Sequence, residues 1–262
     1  MKEIEIEEMK ALQLEMLQKI DHFCKEKGIK YYLTAGTLIG AVRHKGYIPW
    51  DDDIDIMMLR KDYDKFLRSF NGSVKYLVVG APELDWNYYA PYANVYDERT
   101  LLIEKEISHR GQEIGVKIDV FPFDDLPQSE IVYTLTRRFS NALNIIRHFG
   151  SPSQMDRSVK IKKIVNSFFP YRIVQRLIHI IATSKIGGES NDVFLRTFDI
   201  TKPMRADKNW FGQGKYVPFE QYYFPIPDNA DEYLKIRYGN YMKLPTEEER
   251  VPHHGFKAYW KE

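Results

Sequence analysis

Residues 31–59 read YYLTAGTLIGAVRHKGYIPWDDDIDIMML, and a run of acids passes there directly into an apolar segment. That junction constrains the chain more than any other feature. Asp53 and Asp55 flank Ile54, and Ile56, Met57, Met58 and Leu59 follow. An acidic run by itself is ordinarily a solvated loop. The apolar continuation instead predicts a buried strand over 53–59. Side chains at i and i+2 of a strand share one face, with Cα atoms about 6.6 Å apart. Two carboxylates held that close in a poorly solvated place repel, and burying them without a cation or donors is costly. Mg²⁺, with Mn²⁺ as the alternative, suits such a pair because it takes one or two carboxylates together with phosphate oxygens. The pattern therefore points to phosphate chemistry. A calcium loop fits less well. Asp51, Asp53 and Asp55 fall at its first, third and fifth positions, but Ile56 stands where glycine is needed and Asp62 where a bidentate glutamate is needed.

A third acid, Asp119, lies in GVKIDVFPFDDL, in a strand expected over 116–121. Taken alone it is an ordinary edge-strand acid. On a strand beside the first pair it would complete a site for one or two metal ions. Upstream, Gly36 and Thr37 open a helix expected over 37–43, whose N-terminus is suited to a phosphate. Arg43, His44 and Lys45 follow as a basic loop, either solvated or binding a second phosphate. His44 is a candidate for acid–base chemistry or for positioning, and Trp50 is placed to wall the site.

Elsewhere, helical spacing of Met9, Leu12, Met16, Ile20 and Phe23 predicts an amphipathic helix over 3–27, stopped by Gly28. Strands are expected at 30–34, 75–79, 88–96 and 101–104. Helices are expected at 62–70, 131–149, 159–183 with a break at Pro170, and 230–238. A hairpin is expected within 209–224 and an irregular tail over 245–262. The fold class expected is α+β. A catalytic core over 1–130 is followed by a helical basic subdomain over 131–190. An aromatic, turn-rich region over 191–262 then packs on the core and completes the site.

The net charge of +1 hides a segregation, since Ile131 to Gly188 holds ten Lys or Arg and one acid, Asp156. Such an insert suits an anionic surface. The single cysteine, Cys24, rules out a disulfide framework, fits a reducing cytoplasm and lies on the apolar face of the first helix. The N-terminal MKEIEIEEMK lacks the apolar stretch of a signal peptide, and no span of membrane length is expected. The basic, apolar stretch 157–185 reads either as a subdomain packed on the core or as a peripheral contact with the inner face of the cell membrane.

The segments TAGTLIGAVRHKGYIPWDDDIDI, KIDVFPFDDL, YLKIRYGNYMKLP and RVPHH together resemble the LicD phosphocholine transferases, which are related to the fukutin-related proteins. The resemblance implies a nucleotidyltransferase-like mixed sheet flanked by helices. It maps Gly36 and Thr37 onto a nucleotide-binding turn, Asp53 and Asp55 onto a metal-binding pair, and Asp119 onto a third catalytic acid. It implies phosphocholine transfer from CDP-choline to a lipid-linked glycan acceptor such as a teichoic acid, capsule or lipooligosaccharide precursor, with no nucleic acid as partner. With one cysteine, the zinc-binding insert of the fukutin-related branch is absent. A quaternary ammonium is held by aromatic faces, and Trp86, Tyr88, Tyr89, Tyr92 and Tyr96 offer them, either as a cage or as core. Strand alternation would point Tyr88, Tyr92 and Tyr96 one way and Tyr89 the other. His253 and His254 read as substrate-binding or structural residues. Three other functions stay open: a transferase for another CDP-alcohol, an NTP-using nucleotidyltransferase, and a non-catalytic nucleotide- or glycan-binding module.

Overall fold

The computed structural model describes residues 1–104, 109–149, 168–197, 204–250 and 256–261. His253 and His254 lie outside the described residues, as do Arg157, Lys160, Lys162 and Lys163. The architecture is α+β, as expected.

Helix α1 (Ile6–Lys27) buries Met9, Leu12, Met16, Ile20 and Phe23 along one stripe. Gly28 ends it in a left-handed conformation, φ 58°, which glycine adopts without strain. Glu7 and Glu8 in its first turn and Lys25 and Lys27 in its last match the helix dipole. The helix starts later than expected because residues Lys2–Ile4 form strand β1. β2 (Tyr32–Leu33) then leads into α2 (Ala35–Arg43), β3 (Asp55–Leu59) and α3 (Arg60–Ser69). Strands β4 (Leu77–Gly80), β5 (Ala93–Asp97), β6 (Thr100–Glu104) and β7 (Lys117–Pro127) follow.

The central sheet runs β2-β3-β7-β5-β4, and β7 also pairs with β8 (Glu189–Phe194), which pairs with β9 (Ala206–Asp207). Only the β3–β7 pair of that sheet is parallel among the described residues. Ile56, Met57 and Met58 are fully enclosed, as a central strand covered on both faces requires. Helix α4 (Glu130–Phe149) and helix α5 (Tyr171–Thr183) pack on each other through Leu143, Val174 and Ile178. The boundary expected at 190/191 falls inside β8. A hairpin of β10 (Lys215–Phe219) and β11 (Tyr222–Ile226) precedes α6 (Ala230–Tyr238).

Two expectations are corrected. The tail is not wholly irregular, because β12 (Phe256–Trp260) inserts between β1 and β6. Phe256, Ala258 and Trp260 supply the period-2 apolar pattern, and the Trp260 indole donates to Glu8 at 2.9 Å. The strand expected over 88–96 begins only at Ala93. Carbonyls of residues 88–90 are occupied otherwise: Tyr171 Oη donates to Tyr88 and Tyr89, and Gln175 Nε2 to Tyr88 and Ala90, at 2.7–3.0 Å. Those acceptors are thereby withdrawn from any sheet ladder.

Candidate active site

The parallel register sets the centre of the site. Asp55, first residue of β3, pairs with Asp119 on β7, and Asp119 pairs on its other side with Asn94 on β5. Three polar side chains thus form a row across neighbouring strands, about 4.8 Å apart from strand to strand. Asp53 precedes the strand rather than lying on it. It lines a cavity of about 20 Å³ together with Gln13, Glu104, Lys117 and Asp119, room for one water-sized species. Asp51, Asp52 and Asp53 each bring one ligand oxygen to within 4.8 Å of the others.

Charge is crowded here. Burial first, then the carboxylates of Asp53, Asp119 and Asp51, push Asp55 well above the usual carboxylate range. The donor set is all hard oxygen, partly buried and like-charged, which suits Mg²⁺ or Mn²⁺ better than a softer ion. Among the described residues, Asp51, Asp52 and Asp53 are the acids whose oxygens gather closely enough to share such an ion, while Asp55 and Asp119 face each other across the β3–β7 pair beside them.

The segment before β3 is built to hold these acids. Thr37, buried in α2, accepts the Asp55 backbone N–H on its Oγ1 at 2.8 Å. Thr37 therefore fixes Asp55 directly, a role the sequence did not reveal. A Cβ on Gly36 would collide with the Asp51 carboxylate, so any larger residue there would push that acid out of its place against the first turn of α2. Ala35 enters the helix at φ 48°, a left-handed conformation that costs an alanine about 1 kcal/mol or more. Strain of this kind concentrates at functional turns. The first turn of a helix also leaves N–H groups without intrahelical acceptors.

Arg43 ends α2. Its Nε donates to His44 Nε2 at 2.8 Å and its Nη1 to the Tyr241 carbonyl at 2.7 Å. Burial and the charge of Arg43 lower the pKa of His44, consistent with a neutral imidazole that accepts from Arg43. The His44 ring meets Trp50 edge-on at 6.3 Å, and the Arg250 guanidinium lies 5.5 Å over Trp50. Arg43, His44, Trp50 and Arg250 thus form one group, whereas Lys45 is exposed and turned at φ 63°. The C-terminal region meets the site segment elsewhere too. Tyr233 shares a buried hydrogen bond with Thr34 at 2.9 Å.

Three residues of this neighbourhood were not foreseen. Lys117 Nζ donates to both oxygens of Asp119, at 3.1 and 3.3 Å, and lies 3.9 Å from Glu104. Burial disfavours its charge, but Asp119, Tyr89 and Glu104 outweigh that and hold it well above the usual lysine range. Asn94 donates to Asp119 and accepts from Tyr88 Oη at 2.8 Å. Gln13 on α1 donates to the carbonyls of Asp52 and Lys117, each at 3.3 Å, tying the acidic segment to β7. The spacing Lys117-x-Asp119 was a readable signal, since alternate residues share a strand face. Asn94 and Gln13 carried none.

The aromatic run divides. Tyr88 and Tyr89 are buried with Ala90 and Ile114, and Tyr92 and Tyr96 pack against that group half-buried. The expected alternation fails because residues 88–92 are not a strand. Tyr92 packs on Phe121 with ring centroids 4.5 Å apart. Burial first, and then the negative charge of Asp119, raise its pKa. Cys24 is buried, as expected.

The family described as LicD/FKTN/FKRP, nucleotidyltransferase domain, matches residues 28–155, which hold Asp53, Asp55 and Asp119. The lipopolysaccharide cholinephosphotransferase LicD of Haemophilus influenzae is 28% identical, over 99% of both chains. An uncharacterized protein of Rickettsia typhi is 48% identical over 62 residues, 23% of this chain and 20% of its own. One of Rickettsia prowazekii is 47% identical over a segment of the same length. The match to LicD runs along the whole chain and the family domain covers the acidic centre, so this chain resembles the LicD family throughout.

Proposed function

We propose that this protein is a metal-dependent transferase. It moves phosphocholine from CDP-choline to a sugar hydroxyl of a lipid-linked, cell-surface glycan precursor at the cytoplasmic face of the membrane. The observation that carries this reading is the Asp55–Asp119 row with Asp53 beside it, in a chain similar throughout to a cholinephosphotransferase.

Asp53 and Asp55, with Asp119 and Asp51 beside them, would hold Mg²⁺ or Mn²⁺. When bound, such an ion neutralises charge on phosphate oxygens and on the departing phosphate. The first turn of α2, at Gly36 and Thr37, binds the diphosphate by backbone N–H groups. Arg43 and Lys45 add positive charge, the neutral His44 ring accepts from Arg43, and Trp50 walls that side. The sugar hydroxyl oxygen attacks the phosphorus that bears choline. The bond from that phosphorus to the bridging oxygen breaks, its electron pair leaves with CMP, and the hydroxyl proton passes to Asp119. Asn94 and Lys117 orient the Asp119 carboxylate for this task. The face of Tyr92 receives the quaternary ammonium.

A second reading, nucleotidyl transfer from an NTP, is favoured by the description of the matching domain alone. The two differ in which phosphorus is attacked, and hence in the leaving group. Thermal melting with a panel of CDP-alcohols and NTPs, with and without Mg²⁺, separates them. A ligand at 100 times its dissociation constant adds about 2.7 kcal/mol. For a chain of this size that raises Tm by about 5–10 °C. CDP-choline should do so only with Mg²⁺. Stabilisation by an NTP and not by CDP-choline would reverse the choice.

A further inference from the structure

Helices α4 and α5 touch through Leu143, Val174 and Ile178, with Ile146 and Ile181 at the edge of that seam. On the outer side of the seam the apolar pattern continues. Leu135 and Phe139 on α4, and Ile173, Leu177 and Ile180 on α5, are between 38% and 60% exposed. Spacings of four, and of four and three, align each set as a stripe along its helix. The chain returns after α5 so that a Cβ on Gly187 would meet the Val132 side chain at 2.9 Å. The end of α5 therefore lies beside the start of α4, and the helices run antiparallel. Their stripes lie side by side as one apolar face.

The margin of this face is basic. Arg138 on α4, and Arg172 and Arg176 on α5, are exposed. Between Ile131 and Gly188 the sequence has ten Lys or Arg and a single acid. Among the described residues no helix is long and apolar enough to cross a membrane. Large exposed apolar side chains rimmed by positive charge fit an anionic bilayer surface, into which such a face sinks shallowly. A second copy of the chain is a poor occupant, since apposing two such faces would bring arginines onto arginines.

We propose that the α4–α5 face docks on anionic lipid, with Leu135, Phe139, Ile173, Leu177 and Ile180 entering the interface and Arg138, Arg172 and Arg176 meeting headgroup phosphates. This deepens the transfer reading by naming the surface that brings the site to a lipid-linked acceptor.

The test is co-sedimentation of the full chain with vesicles of phosphatidylglycerol and phosphatidylcholine, and with vesicles of phosphatidylcholine alone. Neither donor nor acceptor is needed, so a failure here leaves the transfer reading standing. The wild type should pellet with the anionic vesicles, and less as salt rises. Leu135→Glu and Leu177→Glu, on different helices and both already exposed, should each weaken binding tenfold or more with unchanged melting. Arg172→Gln should weaken it about fivefold. The proposal is overturned if the wild type stays in the supernatant, or if both leucine variants pellet as it does. It is equally overturned if the wild type is a dimer in gel filtration that those variants dissociate.

Discussion

Thr37→Val isolates the bond that fixes Asp55. Valine has nearly the shape of threonine, so the substitution leaves no cavity and removes only the hydroxyl. The Asp55 backbone N–H then loses its acceptor at 2.8 Å in a buried setting. A buried donor left unsatisfied costs about 1–3 kcal/mol. At about 2–4 °C per kcal/mol for a chain of this size, Tm should fall by roughly 4–8 °C for a central cost of about 2 kcal/mol. Thr37→Ser keeps the acceptor and loses one methyl, about 0.8 kcal/mol, or roughly 2–3 °C. The sharper difference is in turnover. Serine should retain most of the wild-type rate, while valine, with Asp55 no longer held at its backbone, should lose tenfold or more. Differential scanning fluorimetry and CMP release measured on the three proteins provide the check. If valine melts with the wild type, or if serine and valine lose turnover equally, Thr37 does not position Asp55.

Asp55→Asn should abolish Mg²⁺-dependent binding of CDP-choline while leaving the metal-free protein as stable as the wild type or more so, because it removes a buried, crowded charge. The folded state raises the affinity of Asp55 for its proton, so metal-free wild type should lose stability as pH rises above the ordinary carboxylate range. The variant should flatten that slope, and parallel slopes would contradict the charge crowding. Lys117→Met leaves Asp119 and Glu104 without their shared cation and should cost about 3 kcal/mol or more; a change in Tm under 2 °C would show the lysine to be dispensable. Tyr92→Leu should weaken CDP-choline more than CDP, by about 0.5–2 kcal/mol in calorimetry, and equal losses would assign Tyr92 to packing alone.

The local patterns carried the sequence reading where contacts are local. The apolar run after Asp55 marked β3, the 3.6-residue period marked α1, and helix α6 was expected at the bounds it has. Asp119 stood out because Ile118 and Val120 flank it in a strand-like run, and its weight came from the acidic pair upstream. What could not be read depends on pairing between distant segments. β12 gains its strand character from β1 and β6, residues at the other end of the chain or more than 150 positions away. Asn94 enters the site only through the β5–β7 register, and Gln13 only because α1 crosses the acidic segment. The tyrosine run failed as a strand for a similar reason, since Tyr171 and Gln175 claim its carbonyls. Asp51 looked like part of a solvated run until Gly36 was seen to pack against it.

The most direct measurement of the central claim is the identity of the products. Purified protein, CDP-choline, Mg²⁺ and a lipid-linked glycan extract from a bacterial membrane would be followed by ³¹P NMR and mass spectrometry. The account predicts CMP and a glycan gaining phosphocholine in equal amounts, both lost with EDTA and with Asp53→Asn. Pyrophosphate formed from an NTP under the same conditions, with no phosphocholine on any glycan, would contradict it.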